Sequence, residues 1–276
     1  MEFDVVSVKQ DTAAMTQETV HSNIPLGPQD MFTPTGGLLS SVNIPLLQYM
    51  IFAYKLTPNQ VQSVQTQLPK WATTNRYDIE ARAAGNPTKD QYRLMMQVLL
   101  ADRFKLAVHY ETKQVPVYAL VLDKPGKFGP QFRQHPSDSP CSTATPTGQG
   151  PAATQTDGFP EICGAFVGVQ ASNAGRIKLG ARNVPMAMIA TTFSIQGFGV
   201  DRPVVDKTGL TGTFDIVIEF TPQINGPLPP GATFQPDESG PTFLEAMKEQ
   251  LGLRLDKQNA PVDSVIVDHI EQPSEN

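Results

Sequence analysis

Cysteine, histidine, tryptophan and charge are all scarce in this chain. Its 276 residues hold two Cys, four His and one Trp, and only 17% are Asp, Glu, Lys or Arg. The formal charge is −6 with a sequence pI of about 5.2, and no long Lys/Arg run appears. Nucleic acid is therefore excluded as an expected partner, because the basic footprint that phosphates need is missing. No long hydrophobic run exists either. Runs such as Tyr49 to Tyr54 fall far short of the roughly 20 residues that span a bilayer, so no membrane span is expected. Met1-Glu2-Phe3-Asp4 has no signal-peptide character, which leaves a cytosolic protein or one whose signal peptide has been removed.

Catalytic motifs are absent too. No G-x-S-x-G, H-E-x-x-H, Walker A or GxGxxG pattern occurs. Lys207-Thr208-Gly209 lacks the S-x-x-K companion of a penicillin-binding triplet and reads as a turn. His21 and His135 fall in loops, His109 in a strand and His269 near a strand end, all read as surface positions. Asp268 and His269 are neighbours on one strand, so they point to opposite faces and share no site. No catalytic residue, metal ligand or cofactor is expected.

What fills the chain instead is 25 Pro and 21 Gly, with many Ser, Thr and Gln. Residues 125–160 hold seven Pro, five Gly and eight Ser/Thr in 36 positions, which forbids a periodic apolar face. Cys141 and Cys163 lie in and just beyond this stretch. Either they form a disulfide that closes a loop otherwise unanchored, or they are two unrelated thiols. A disulfide implies an oxidising compartment and contributes about 3 kcal/mol by loop-entropy reasoning.

Either side of this stretch, one pattern occurs twice. Asn43-Ile44-Pro45 and Asn183-Val184-Pro185 each read as a helix N-cap followed by Pro in the first turn. An apolar helix follows each, Leu46 to Tyr54 and Met186 to Phe193. Strands come next, Arg76 to Arg82 and Thr213 to Ile218. Thr88-Lys89-Asp90-Gln91 and Thr242-Phe243-Leu244-Glu245 are capping boxes before a second helix. Phe104–Val108 with Val115–Leu122 reads as a hairpin, and Leu253–Leu255 with Ala260–Asp268 matches it. Asp78 and Asp215, like Asp123 and Asp268, hold equivalent places. Duplicated positions point to a shared structural duty, such as a turn bond or a strand-end ion pair, ahead of acid/base chemistry. The second copy adds a strand, Pro203 to Asp206.

The fold class implied is α+β. Two tandem copies of a small β-α-β-β-α-β-β unit, with mixed or antiparallel sheets, are joined by a Pro/Gly/Ser-rich connector. The expected divisions are 1–124, holding an N-terminal strand and the first repeat, 125–174 as connector, and 175–276 as the second repeat.

The residues also carry a resemblance. It rests on Glu2-Phe3-Asp4-Val5-Val6-Ser7-Val8-Lys9, Met96 through Leu106, Glu111-Thr112-Lys113, Pro116 through Val121, Arg202 through Gly212, Gln250 through Leu253, and Ala260 through Glu271. In these segments the chain resembles a Solibacter-type domain-of-unknown-function family expanded in acidobacteria. That resemblance implies a secreted or periplasmic protein. It also implies a family in which some members are fused to membrane metallopeptidases of the beta-lactamase-sensor type, whose motif is missing from this chain. At the level of fold alone, the second copy is similar to the short N-terminal domain of secretins and TonB-dependent receptors.

The function these readings favour is a non-catalytic binding or assembly module. Its partner is a protein or a second copy of itself, engaged by strand addition. The candidate interaction strand runs through Phe3, Val5, Val6 and Val8, which favour extended backbone. The alternatives are a small-ligand or glycan binder using a cleft between the repeats, with Trp71 either marking the binding surface or capping the first core, and an enzyme with an unfamiliar site.

Overall fold

A computed structural model describes residues 1–13, 19–28, 30, 32–139, 151–194, 198–223 and 234–273. The chain is mixed α+β and falls into two compact units, Met1–Lys113 with Pro261–Asn276, and Gln114–Ala260.

The first unit opens with β1 (Val5–Asp11), β2 (His21–Ser22) and β3 (Leu38–Pro45). Three helices follow, α1 (Leu46–Tyr54), α2 (Pro58–Gln67) and α3 (Lys70–Thr74), then β4 (Arg76–Arg82) and α4 (Lys89–Phe104). The strands form an antiparallel sheet in the order β1-β4-β3-β2. Helices α1 and α4 pack together and cover it. Tyr49 of α1 donates its hydroxyl to the Tyr77 carbonyl at 2.9 Å, and the Tyr77 and Phe104 rings meet edge-on at 5.0 Å. Capping boxes start α2 at Thr57 and α4 at Thr88, where side chain and N3 residue satisfy each other's backbone N–H groups.

The second unit contains β6 (Phe132–Gln134), β7 (Phe166–Gly168), β8 (Ile177–Pro185), α5 (Met186–Phe193), β9 (Val204–Asp206) and β10 (Thr213–Phe220). After β10 come α6 (Phe243–Ala246) and a π-helical turn, Met247–Leu251. Its antiparallel sheet has the order β6-β10-β8-β7. A cluster of Phe193, Phe198, Phe220 and Phe243 rings fills the space between that sheet and the helices. Two long strands, β5 (Ala107–Leu122) and β11 (Leu253–His269), contribute residues to both units. With β9 they form a third sheet in the order β11-β5-β9, in which β5 and β9 run parallel.

Four expectations are corrected. The hairpins read at Phe104–Leu122 and Leu253–Asp268 are single strands, β5 and β11. Pro116 and Pro261 lie within these strands, because the fixed φ of proline fits extended backbone and its cost is only a missing donor. Asn43 and Asn183 are not N-caps, since Pro45 and Pro185 occupy those positions. Each Asn sits instead at a register shift in its strand with positive φ, 60° and 56°, a conformation that Asn tolerates better than most residues. The stretch 125–174 is not only connector, because it supplies β6 and β7 and buries Phe132 in the second core. Finally, residues 261–276 belong with the first unit, where Val265 enters the core.

Candidate functional site

Strand β1 is the outermost strand of the first sheet, and over its whole length it pairs with β4, from Val5 opposite Arg82 to Asp11 opposite Arg76. Its side chains divide as alternation and the end of the strand dictate. Val8 is buried in the core and Phe3 is buried against Tyr92, with ring centroids 6.1 Å apart. Val5 points outward and is 66% exposed. Val6 is half-buried and faces α4.

Between β1 and α4 runs an open groove of about 240 Å³, lined by Phe3, Val6, Met95, Val98 and Leu99, with Glu2, Asp4, Asp102 and Arg103 at its rim. Val98 is 41% exposed on the helix wall. The outermost strand of a sheet beside an apolar groove flanked by a helix has the parts that strand addition needs. Main-chain groups can form the ladder, and alternate side chains of the added strand can enter the groove. Of the four residues singled out from sequence, Phe3 and Val6 line the groove, Val5 lies on the open face and Val8 holds the strand to the core.

The second unit gathers the densest set of charges. Asp215 is 0% exposed. Its carboxylate accepts from the Asn183 N–H at 3.1 Å and from Arg133 Nε at 2.9 Å, and it shares a hydrogen bond with His135 Nδ1 at 2.7 Å. Arg182, also fully buried, lies 3.9 Å from it and donates to both oxygens of Asp157, at 2.7 and 2.8 Å, and to the Pro160 carbonyl. Arg133 closes the ring by pairing with Asp157 and covering the Phe159 face, 4.3 Å from guanidinium to ring centroid. Partial burial pushes the Asp157 carboxyl up, but the hydrogen bonds from Arg182 and Arg133 outweigh it and hold the group at about 2. Every carboxylate here is engaged by a cation, so the cluster acts as a clasp between the 157–160 segment and the sheet. His135, expected on a loop surface, is a buried member of it.

The remaining sequence candidates disperse. His109 pairs with Asp268 at 2.8 Å, and His269 pairs with Glu271 at 2.6 Å. Trp71 packs, partly buried, against the first core. Thr208 caps the Asp206 carboxylate in a turn before Gly209. Among the described residues no group of three His, Cys, Asp or Glu is placed to hold a metal ion, and no helix is long and apolar enough to cross a membrane. Cys163 is buried, whereas Cys141 lies outside the described residues.

A family model described as a protein of unknown function (DUF3738) matches residues 47–270. The chain belongs to that family. No curated protein and no solved structure matches it. The DUF3738 match takes in α4, one wall of the groove, and the whole charge cluster, but begins after β1. The groove was missed at the sequence level because it needs α4 and β1, over 80 positions apart, side by side. The Arg133–Asp157–Arg182–Asp215 cluster was missed because its members sit on four separate segments. One signal was legible and overlooked, the capping box of Thr57-Pro58-Asn59-Gln60 that starts α2.

Proposed function

We propose that this DUF3738 chain is a non-catalytic protein-binding module that takes an extended segment of a partner along the outer edge of β1. The observation that supports it is the position of the seven-residue β1 as the outermost strand of its sheet, with the apolar groove of α4 beside it. The partner is another protein or a second copy of the chain. With antiparallel self-pairing centred between Val6 and Ser7, Lys9 of one copy faces Asp4 of the other. A secreted or periplasmic location and a Solibacter-type subfamily go with this reading, as does a Cys141–Cys163 disulfide, which peptide mass spectrometry of unreduced, natively exported protein tests.

We also read the two units as copies of one ancestral α+β unit. In its support, both sheets place their strands in the same order along the chain. In both, an Asn with positive φ at a strand irregularity donates its N–H to an Asp on the neighbouring strand, Asn43 to Asp78 at 2.8 Å and Asn183 to Asp215.

The test is hydrogen exchange of the β1 amides during selection from a library of extended peptides, with sedimentation across a concentration series as the self-association arm. Protection of β1 on binding or self-association, abolished by Val98→Glu on the exposed wall of the groove, is the expected result. Unchanged β1 exchange in both arms discards the proposal.

A further inference from the structure

In the second unit a separate cleft of about 350 Å³ opens beside the π-helical turn. Its apolar surface comes from Val200, Leu244, Met247 and Leu255, and its charged groups are Lys248, Arg254 and Lys257. No acidic side chain lines it, although the whole chain carries a net charge of −6. Carboxylates that touch its lining residues are engaged by cations: Asp201, bonded to Tyr118 of the lining, pairs with Arg202 at 3.0 Å. Asp256 holds Arg254 through two contacts of 3.0 and 2.8 Å, and Asp123 stands 3.9 Å from Lys248. Arg254 is further fixed by the Leu122 carbonyl at 3.0 Å. Lys248 and Lys257 are thus the cations that an incoming anion meets.

A second observation concerns the backbone. Residues Met247–Leu251 form a π turn, whereas α4 in the first unit is regular over 16 residues. Such turns are rare and concentrate at functional sites, because an extra residue in the turn re-aims side chains at the cost of helical regularity. Here the turn supplies Met247 to the cleft floor and Lys248 to its rim. Met247 is buried and offers a flexible, polarizable surface suited to an unbranched chain. Leu244 at the mouth is 49% exposed. The volume lies at the small end of ligand sites.

We infer that this cleft binds a small amphipathic anion, an apolar chain of medium length ending in a carboxylate, with the chain on Met247, Val200 and Leu255 and the head group between Lys248 and Lys257. The lysines are solvent-exposed at their tips, so their attraction is salt-dependent.

Decanoate titrated into protein carrying methyl-labelled Met tests this. Saturable movement of the Met247 methyl is expected, with decanol binding at least tenfold more weakly at low salt. The Lys248→Glu/Lys257→Glu double variant is expected to lose at least tenfold in decanoate affinity while its decanol affinity stays unchanged. An independent Leu244→Glu variant blocks the mouth and removes both. Equal affinity for decanol and decanoate, or a decanoate affinity indifferent to the double charge reversal, overturns the inference. So does tighter saturation of the same methyl by a peptide with a C-terminal leucine.

Discussion

The outer strands of the two antiparallel sheets are built differently. Aligning Lys9, opposite Asp78, with Arg133, opposite Asp215, sets Val8 against Phe132, both buried. From there the edges diverge. β1 continues as an extended strand through Val6 and Val5. At the same places the second unit has Pro130 and Gly129, and this segment turns onto the end of the π turn, where the Gly129 and Gln131 N–H groups donate to the Leu251 and Gln250 carbonyls. β6 is three residues long and its Arg133 is locked into a buried ion cluster, while β1 is seven long and lies at the outer edge of its sheet. A short, clamped edge is protected from foreign strands, and a long, flat one invites them. Two sheets of the same strand order thus end in outer strands of different length, one of them clamped by ions.

The largest expected effect falls on the clasp. Asp215→Ala leaves Arg133 without its buried acceptor, deprives the buried Arg182 of one nearby counter-charge, and costs about 3–5 kcal/mol by urea denaturation. Asp78→Ala removes a bond in a half-exposed place and costs about 1 kcal/mol. Equal losses at the two positions break the comparison. Next comes Gly129→Ala, where a Cβ meets the Gln250 carbonyl oxygen at 2.3 Å. The clash costs about 1–3 kcal/mol, whereas Val5→Ala on β1 stays within about 0.5 kcal/mol.

Charge burial also differs between the units, and pH sharpens this. Lys89 in the first unit is 4% exposed, and burial, aided by the nearby Arg93 charge, pushes its amine down to about 8 from the ordinary 10.5. Between those values the unfolded chain binds more protons than the folded one, so stability rises with pH, by about 3 kcal/mol. The stability difference between wild type and Lys89→Met, followed by urea denaturation from pH 7.5 to 10.5, is expected to move in favour of wild type across this window. A flat difference refutes the assignment. In the second unit Asp157 is held low, so its contribution is present above the usual carboxylate range and fades as pH falls from about 4 towards about 2. An acid-side loss of stability that is shallower in Asp157→Asn than in wild type is therefore expected in the same urea measurements.

Local signals made much of the fold legible. The capping boxes at Thr88 and Thr242 placed α4 and α6, and the apolar run after Pro45 placed α1 at the residues where it occurs. The alternation at Arg76–Arg82 marked β4. These features depend on neighbours within a turn of helix or along one strand, where periodicity and backbone satisfaction act directly. Asn43 and Asn183 show the limit. An Asn before Ile-Pro or Val-Pro fits a cap as well as it fits a bulge. The choice fell to the bulge because an Asp on the next strand, 35 and 32 positions away, accepts the Asn N–H.

By itself, then, the sequence determined the α+β class, the helices α1, α4, α5 and α6, the strands that alternate, and the β-prone segment at Phe3–Val8. Tertiary structure alone decided which outer strand is clamped, which histidine is buried, and where the apolar groove and the cation-lined cleft form. The physical reason is distance along the chain. Secondary structure is selected by contacts a few residues apart. An edge, a clasp or a cleft exists only when segments tens of residues apart meet, and a buried charge such as Asp215 is stable only because that meeting also brings its partners.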